Sequence, residues 1–239
     1  MNILYEDKDI IVVEKPAGMP VQTSSITQKD MVSELKNHLH AKNGGSYLGV
    51  IHRLDQPVKG IVVFAVNEKA AGKLSRQVRE GIFDKHYYAV VEGIIETHER
   101  KVLEDHLIKT KENTAKVVAK GTRDAKKAVL SYTVTGINRD KEITLLDIEL
   151  MTGRFHQIRA QLSHAGHPIV GDVKYGAKTA EPDRSIRLCA YRLSFEHPGT
   201  GKRMDFELDI RKDGDSFPGL TDKQDEETGT DDQITEALA

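Results

Sequence analysis

Ile143-Thr144-Leu145-Leu146-Asp147-Ile148-Glu149-Leu150 is the stretch whose pattern sets the fold class. Ile143, Leu145, Asp147 and Glu149 fall on one side; Thr144, Leu146, Ile148 and Leu150 fall on the other, which is largely apolar. A period of two with one apolar face predicts a half-buried strand. The region from Val102 to this stretch is rich in further β segments, Val129 to Ile137 among them. Further out, Ile3 to Tyr5, Ile10 to Val13, Tyr87 to Val91, Ile186 to Phe195 and Met204 to Ile210 also read as strands. Ile61 to Val66 is apolar throughout, as a strand buried on both faces would be. Helical spacing is confined to Met31 to His40, Glu68 to Glu80 with a stop at Gly81, and Arg154 to Ala165. Strands outnumber helices and do not alternate with them. The pattern predicts an α+β fold with a mixed, mainly antiparallel central sheet flanked by helices and loops, not a doubly wound parallel sheet.

The chain has 239 residues, 38% of them hydrophobic and 30% charged, enough for a substantial core. Its longest apolar run, Ile61 to Val66, is far short of the roughly 20 residues of a membrane span. Glu6, Asp7, Lys8 and Asp9 near the start exclude a secretory signal there. A lone Cys189 excludes an internal disulfide and a multi-cysteine zinc site. The expected location is the cytoplasm, with no membrane association. The net charge of −2 hides an asymmetry. Residues 212–239 hold nine acids against Lys212 and Lys223, while residues 1–211 hold 33 Lys and Arg against 28 Asp and Glu. This predicts a folded body over 1–211 and a disordered acidic tail over 212–239 that is dispensable for chemistry. Such a body is compatible with a polyanion ligand, but its excess of positive charge is small, and a solvated surface explains it equally simply.

Three segments carry chemistry. His52-Arg53-Leu54-Asp55 lies in a turn that leads into the apolar strand. An Asp there is ionised at neutral pH and can act as a nucleophile without a base. The commoner use of Asp at a turn is a cap or a pair with a neighbour such as Arg53. Thr152-Gly153-Arg154-Phe155-His156-Gln157-Ile158-Arg159 opens a predicted helix on which His156, Arg159 and Ser163 share a face. A guanidinium beside an apolar stripe needs a carboxylate or phosphate when it is buried; at the surface it is a weak salt bridge. His156, His164 and His167 lack the spacing and partners of a standard zinc motif, so no metal is expected. In Lys85-His86-Tyr87-Tyr88-Ala89-Val90-Val91, alternation puts Tyr87, Ala89 and Val91 on one face. A Tyr on that face can stack on a base and still offer a hydroxyl, although Tyr in a strand is more often core.

These segments occur in a distinctive order. His52-Arg53-Leu54-Asp55 and Gly60 are followed by Lys85-x-Tyr87-x-Ala89-x-Val91-x-Gly93, then Thr152-Gly153-Arg154-x-His156-Gln157-Ile158-Arg159. Gly166-His167-Pro168-Ile169-Val170-Gly171-Asp172 and Tyr175-Gly176 complete the series. The chain resembles the RluA family of RNA pseudouridine synthases over about Ile3 to Leu208. The resemblance implies isomerisation of uridine to pseudouridine in structured RNA, ribosomal or transfer, without cofactor or metal. It implies that Asp55 is the catalytic aspartate, that Tyr87 stacks on the target base near a proton in transfer, and that Arg159 pairs with the carboxylate. Arg53 would hold the flipped conformation and Leu188 would line the pocket. His52, Arg154 and His156 are carried along as substrate-binding positions.

Where many relatives carry Thr-Ser before the glycine of the first motif, Val58 and Lys59 stand here. Lys59 is a candidate phosphate contact or an exposed lysine. Relatives with a small basic RNA-binding domain begin with it, and this chain starts almost at once with the catalytic body. RNA choice would then rest on loops such as Gln22 to Asp30 and Thr97 to Thr122. Lys101, Lys109, Lys111, Lys116, Lys120 and Arg123 in and beside the second form a candidate RNA-facing strip, or equally the charged surface of a solvated hairpin. RNA is the expected partner, with no DNA, and the expected state is a monomer. One alternative is an RNA-binding or RNA-folding protein on the same body without catalysis, a role that needs no Asp55. Another is a hydrolase using Asp55 and His156, for which no supporting motif is present.

Overall fold

In the computed structural model, residues 2–25, 27–45 and 47–210 are described. The segment 212–239, expected to be a tail, lies outside them. The order of elements is β1 (Asn2–Glu6), β2 (Ile10–Lys15), α1 (Met31–Asn43), β3 (Gly49–Val50), β4 (Lys59–Ala65), α2 (Glu68–Glu80), β5 (Asp84–Glu92) and β6 (Lys101–Lys109). Then come β7 (Ala115–Val118), β8 (Lys126–Asn138), β9 (Ile143–Leu150), α3 (Gln157–His164), a short 3-10 turn at Val173–Tyr175, β10 (Leu188–Glu196) and β11 (Arg203–Glu207).

The strands form one sheet in the order β1-β2-β4-β10-β5-β9-β8-β6-β7, with β3 on β4 and β11 on β10. Among the described residues, only the β4–β10 pair is parallel; the other pairs are antiparallel. The mixed, mainly antiparallel sheet expected from the alternation is therefore present. β9 supplies Leu146, Ile148 and Leu150 to the same core face as Tyr87, Ala89 and Val91 of β5. Met31 and Leu35 of α1 and Ile158 and Leu162 of α3 cover that face. α2 packs Ala70 and Leu74 on the opposite face, against Ile10, Val12, Ile61 and Val63. β4 is thus buried on both sides, which is why it reads as an unbroken apolar run.

Local signals set the helix ends. Asp30 accepts from the Ser33 backbone N–H at 2.7 Å and caps α1, and Asn67 does the same for α2 through Ala70 at 2.9 Å. α2 stops at Gly81 as expected, while α1 runs on past His40 to Asn43. The third helix differs from expectation, because it starts at Gln157 rather than Arg154. His156 sits at φ 50°, in the left-handed region, which no α-helix can include. The Gln157 side chain holds the preceding turn, its Oε1 accepting from the Arg154 N–H at 3.0 Å and the Thr152 hydroxyl at 2.7 Å. Arg154 and His156 therefore project from a turn and do not share a helical face with Arg159.

Gly60 marks the junction that places the site. Its φ is 142°, and it lies where β4 and β10 run parallel, opposite Ala190. A Cβ at Gly60 would meet the Ala190 carbonyl oxygen at 2.5 Å and its nitrogen at 2.6 Å. Gly60→Ala is expected to cost about 2–4 kcal/mol, from overpacking plus backbone strain. It should appear as a lower urea midpoint with the slope unchanged. A midpoint equal to that of the wild type would contradict this close approach.

Candidate active site

A cavity of about 360 Å³ opens between the loop after β3, β5, the end of β9, the turn before α3 and the start of β10. It falls within the size range of small-molecule sites, near its lower end. Val58, Leu150, Ile158 and Leu188 give it apolar walls.

Asp55 reaches this cavity on a loop that is fastened twice. β3 covers β4 only at Ala65 and Phe64. Beyond it, the Val63 N–H would have no strand partner. It donates instead to His52 Nε2 at 3.2 Å. Burial, with Lys85 nearby, pushes His52 down to about 3, so the ring is neutral and Nε2 is free to accept. The second fastening is Lys15, which is fully buried. Its ammonium donates to the carbonyls of Met19 at 2.7 Å, Pro16 at 2.9 Å and Gln56 at 3.1 Å. Gln56 adjoins Asp55, so Lys15 ties the Asp55 loop to the turn after β2. Burial pushes Lys15 down to about 8, and the charge of Asp55 opposes that shift.

Arg159, on the first turn of α3, joins two carboxylates. Its Nη1 is 3.2 Å from Asp55 Oδ2. Its Nε and Nη2 grip Asp172 in a bidentate pair at 2.7 and 2.8 Å. Asp172 is only 2% exposed. It is delivered by the turn at Gly171, where φ is 87° and a Cβ would come within 2.9 Å of the Ser185 carbonyl. The Tyr175 ring lies 4.8 Å beneath the guanidinium, a favourable cation–π distance. The Asp55 carboxyl stays above the usual aspartate range, because burial outweighs the opposing charges of Arg159, Lys15 and Lys174.

His156 lies on the other side of Asp55. Tyr175 Oη accepts from the Ala115 N–H at 2.6 Å, leaving its own hydrogen for His156 Nδ1 at 2.7 Å. The imidazole then carries its proton on Nε2, 3.6 Å from Asp55 Oδ2. Burial, with Arg159 and Lys174 nearby, pushes His156 down to about 3, so it is neutral. Tyr87 lines the same cavity, and burial followed by the Asp55 charge pushes its hydroxyl upward, so it stays protonated.

Asp55, Tyr87, Arg159, Arg53, His52, Arg154, His156 and Leu188 all line this one cavity. Arg53 is exposed at its rim, and Arg154 donates to the Lys127 carbonyl at 2.8 Å. Lys59 is not in the lining; it lies on β4 with its ammonium 3.1 Å from Glu14. Of the lysine strip, Lys109 reaches the site, 4.6 Å above the Phe155 ring, which stacks on His156. Lys101 pairs with Glu99 and Arg123 with Asp124.

The sequence motifs contain Asp172 and Tyr175 without revealing a role for them, and Lys15 lies outside those motifs. The signal for Lys15 and Asp172 is the same: an ionisable residue inside an otherwise apolar or Gly-Pro stretch, where burial demands a partner. His156, His164 and His167 do not converge, since His167 bonds the Glu92 carbonyl and His164 is exposed. Among the described residues, Asp7, Asp9 and His197 are close enough to share a cation. His197 Nδ1 already accepts from Gly199 and Thr200 there, which leaves its Nε2 proton for Asp7.

Comparison with solved structures defines the class. Human RNA Pseudouridylate Synthase Domain Containing 4 matches with a TM-score of 0.71 at 22% identity, over 87% of both chains. Human RNA Pseudouridylate Synthase Domain Containing 1 matches with a TM-score of 0.68 at 24% identity, over 87% of this chain and 82% of that one. The fold is therefore the pseudouridine synthase catalytic fold. The family model for RNA pseudouridylate synthase matches residues 9–164. An uncharacterized RNA pseudouridine synthase of Aquifex aeolicus (strain VF5) is 34% identical over 224 residues, 87% of this chain and 69% of the relative. Ribosomal large subunit pseudouridine synthase D of Zymomonas mobilis is 29% identical, covering 89% of this chain and 70% of that protein. The chain belongs to the RNA pseudouridylate synthase family, and its reaction is the isomerisation of uridine in RNA.

Proposed function

We propose that Asp55 is the nucleophile for conversion of one or a few uridines in structured RNA, with Tyr87 and Arg159 completing the catalytic set. The observation that supports this most is the convergence of the three groups in one cavity, with Arg159 Nη1 3.2 Å from Asp55 Oδ2. In the reaction the bond from C1′ to N1 breaks and a bond from C1′ to C5 forms. C5 loses a proton and N1 gains one, so nothing is added or removed overall. Asp55 attacks either the base or the sugar, and both routes need it ionised. Tyr87 stacks on the base, and its protonated hydroxyl stands ready at a proton in transfer. Arg159 favours the charged carboxylate against burial. Arg53, exposed at the rim, holds the flipped nucleotide, whose extraction costs a few kcal/mol. The apolar walls keep the detached base from water and from escape.

Ribosomal RNA is the favoured substrate, because three of the relatives carry ribosomal large subunit names. The working form is a monomer that acts in the cytoplasm on RNA and not on DNA. Among the described residues, no helix is long and apolar enough to cross a membrane. The test is a map of pseudouridine across total RNA from cells lacking the protein. These cells would be restored with wild type or with Asp55→Ala. A site lost in the null, regained with wild type and still absent with Asp55→Ala is the expected result. Restoration by Asp55→Ala would overturn the assignment of the nucleophile.

A further inference from the structure

Lys85 lies on β5 two residues before Tyr87, so both side chains leave the same face of the strand and line the same cavity. It is half-buried. A Cβ placed on Gly153 would sit 3.5 Å from its ammonium, so Lys85 lies across the one residue of that turn that has no side chain. The other buried cations around Asp55 have assigned partners: Arg159 holds two carboxylates and Lys15 three carbonyls. Among the described residues, the Lys85 ammonium makes neither an ion pair nor a hydrogen bond, its backbone alone being paired, with β10. His52 in the lining feels its charge but is itself neutral. A partly desolvated ammonium without a counter-ion is unfavourable unless the ligand brings the anion.

Resting on the isomerase reading above, we propose that Lys85 is the seat for the phosphate of the target nucleotide. Tyr87 takes the base, and Lys85 stands one pleat repeat away, about 7 Å along the strand. That matches the order of distance from a nucleotide's base to its own phosphate. Burial alone pushes Lys85 downward, and a phosphate beside it would favour the charged form. The open turn at Gly153 leaves room for the sugar-phosphate backbone to pass. Lys85 thus fixes the register of the flipped nucleotide against Asp55, which makes it a binding and positioning residue without a bond-making role.

The test uses a synthetic RNA around the uridine identified by the mapping experiment. A single neutral methylphosphonate replaces the target's own 5′ phosphate, its 3′ phosphate or a phosphate several nucleotides away. Wild type, Lys85→Met and Lys85→Arg are compared. A charge-assisted hydrogen bond to phosphate corresponds to about a 10- to 100-fold effect on kcat/KM. Wild type should lose that much when one of the target's own phosphates is neutralised and almost nothing when the distant one is. Lys85→Met should lose a similar factor on ordinary RNA and little more on the neutralised RNA, while Lys85→Arg keeps most of the activity. The wild-type arm alone decides the matter even if Lys85→Met folds poorly. Losses that multiply, or a wild type indifferent to both flanking methylphosphonates, would overturn the phosphate seat and point to a carbonyl of the base. A wild type that converts no uridine in any RNA would overturn the isomerase reading itself.

Discussion

Asp55→Asn is expected to be inactive and more heat-stable than the wild type. Pseudouridine formation, read by nucleoside chromatography, should fall by a factor on the order of 10⁴ or more, because the amide cannot serve as the nucleophile. The stability effect follows from the same burial. The Asp55 carboxyl has a folded pKa above its ordinary value, since burial outweighs Arg159, Lys15 and Lys174. A raised carboxylate pKa means that the fold prefers the protonated form. Its contribution is therefore most favourable at low pH and is lost as pH rises from the ordinary range through the folded value. At neutral pH the ionised group destabilises the protein, and a neutral Asn removes that cost. The Asn variant is therefore expected to melt above the wild type at neutral pH. The wild-type rate should fall at low pH as Asp55 takes up its proton, at a pH above the ordinary aspartate range. An unchanged Tm together with an acid limb in the ordinary range would contradict this account of the carboxylate.

Arg159→Met carries the largest expected loss of stability. The side chain is 6% exposed and serves Asp172, at 1%, and Asp55, at 26%. Removing it leaves a buried carboxylate at Asp172 with no cation, which typically costs about 3–5 kcal/mol. A Tm lower by about 10 °C follows for a chain of this size. Activity should fall too, and any residual rate should have its acid limb at higher pH, because the main charge opposing burial of Asp55 is gone. Arg159→Met combined with Asp172→Asn separates the two effects. It removes the stranded charge, so most of the stability should return while activity stays low. If the double variant were as unstable as the single one, Asp172 would not be the source of the loss. If it recovered activity, Arg159 would have no role beyond folding.

The parts legible in the sequence share one property: each is a repeating or local pattern. The alternation in β9, the apolar run of β4, and the Asn67 cap and Gly81 stop of α2 are read within a few residues. The order of the three motifs brought Asp55, Tyr87 and Arg159 into view as a set. The spacing places the start of α3 too early because Phe155, three residues before Ile158, continues the apolar pattern of Ile158 and Leu162. The backbone at His156 turns left-handed there, to meet Tyr175 and Asp55. That choice depends on residues far apart in the chain and leaves no periodic trace.

By itself, the sequence determined the α+β class, most of the strands and helices, and the residues that can carry nucleophilic chemistry; it left the start of α3 and the strands β6 and β7 within 97–122 to the tertiary structure. It did so because hydrophobic period, capping and turn chemistry act over a few residues. Only the tertiary structure decided that Arg159 divides its charge between Asp172 and Asp55, that Lys15 fastens the Asp55 loop, and that Lys59 pairs with Glu14 outside the cavity. It also left Lys85 in the cavity without an anion. Each of these depends on which charge is buried beside which, and burial is set by the packing of distant segments around one sheet.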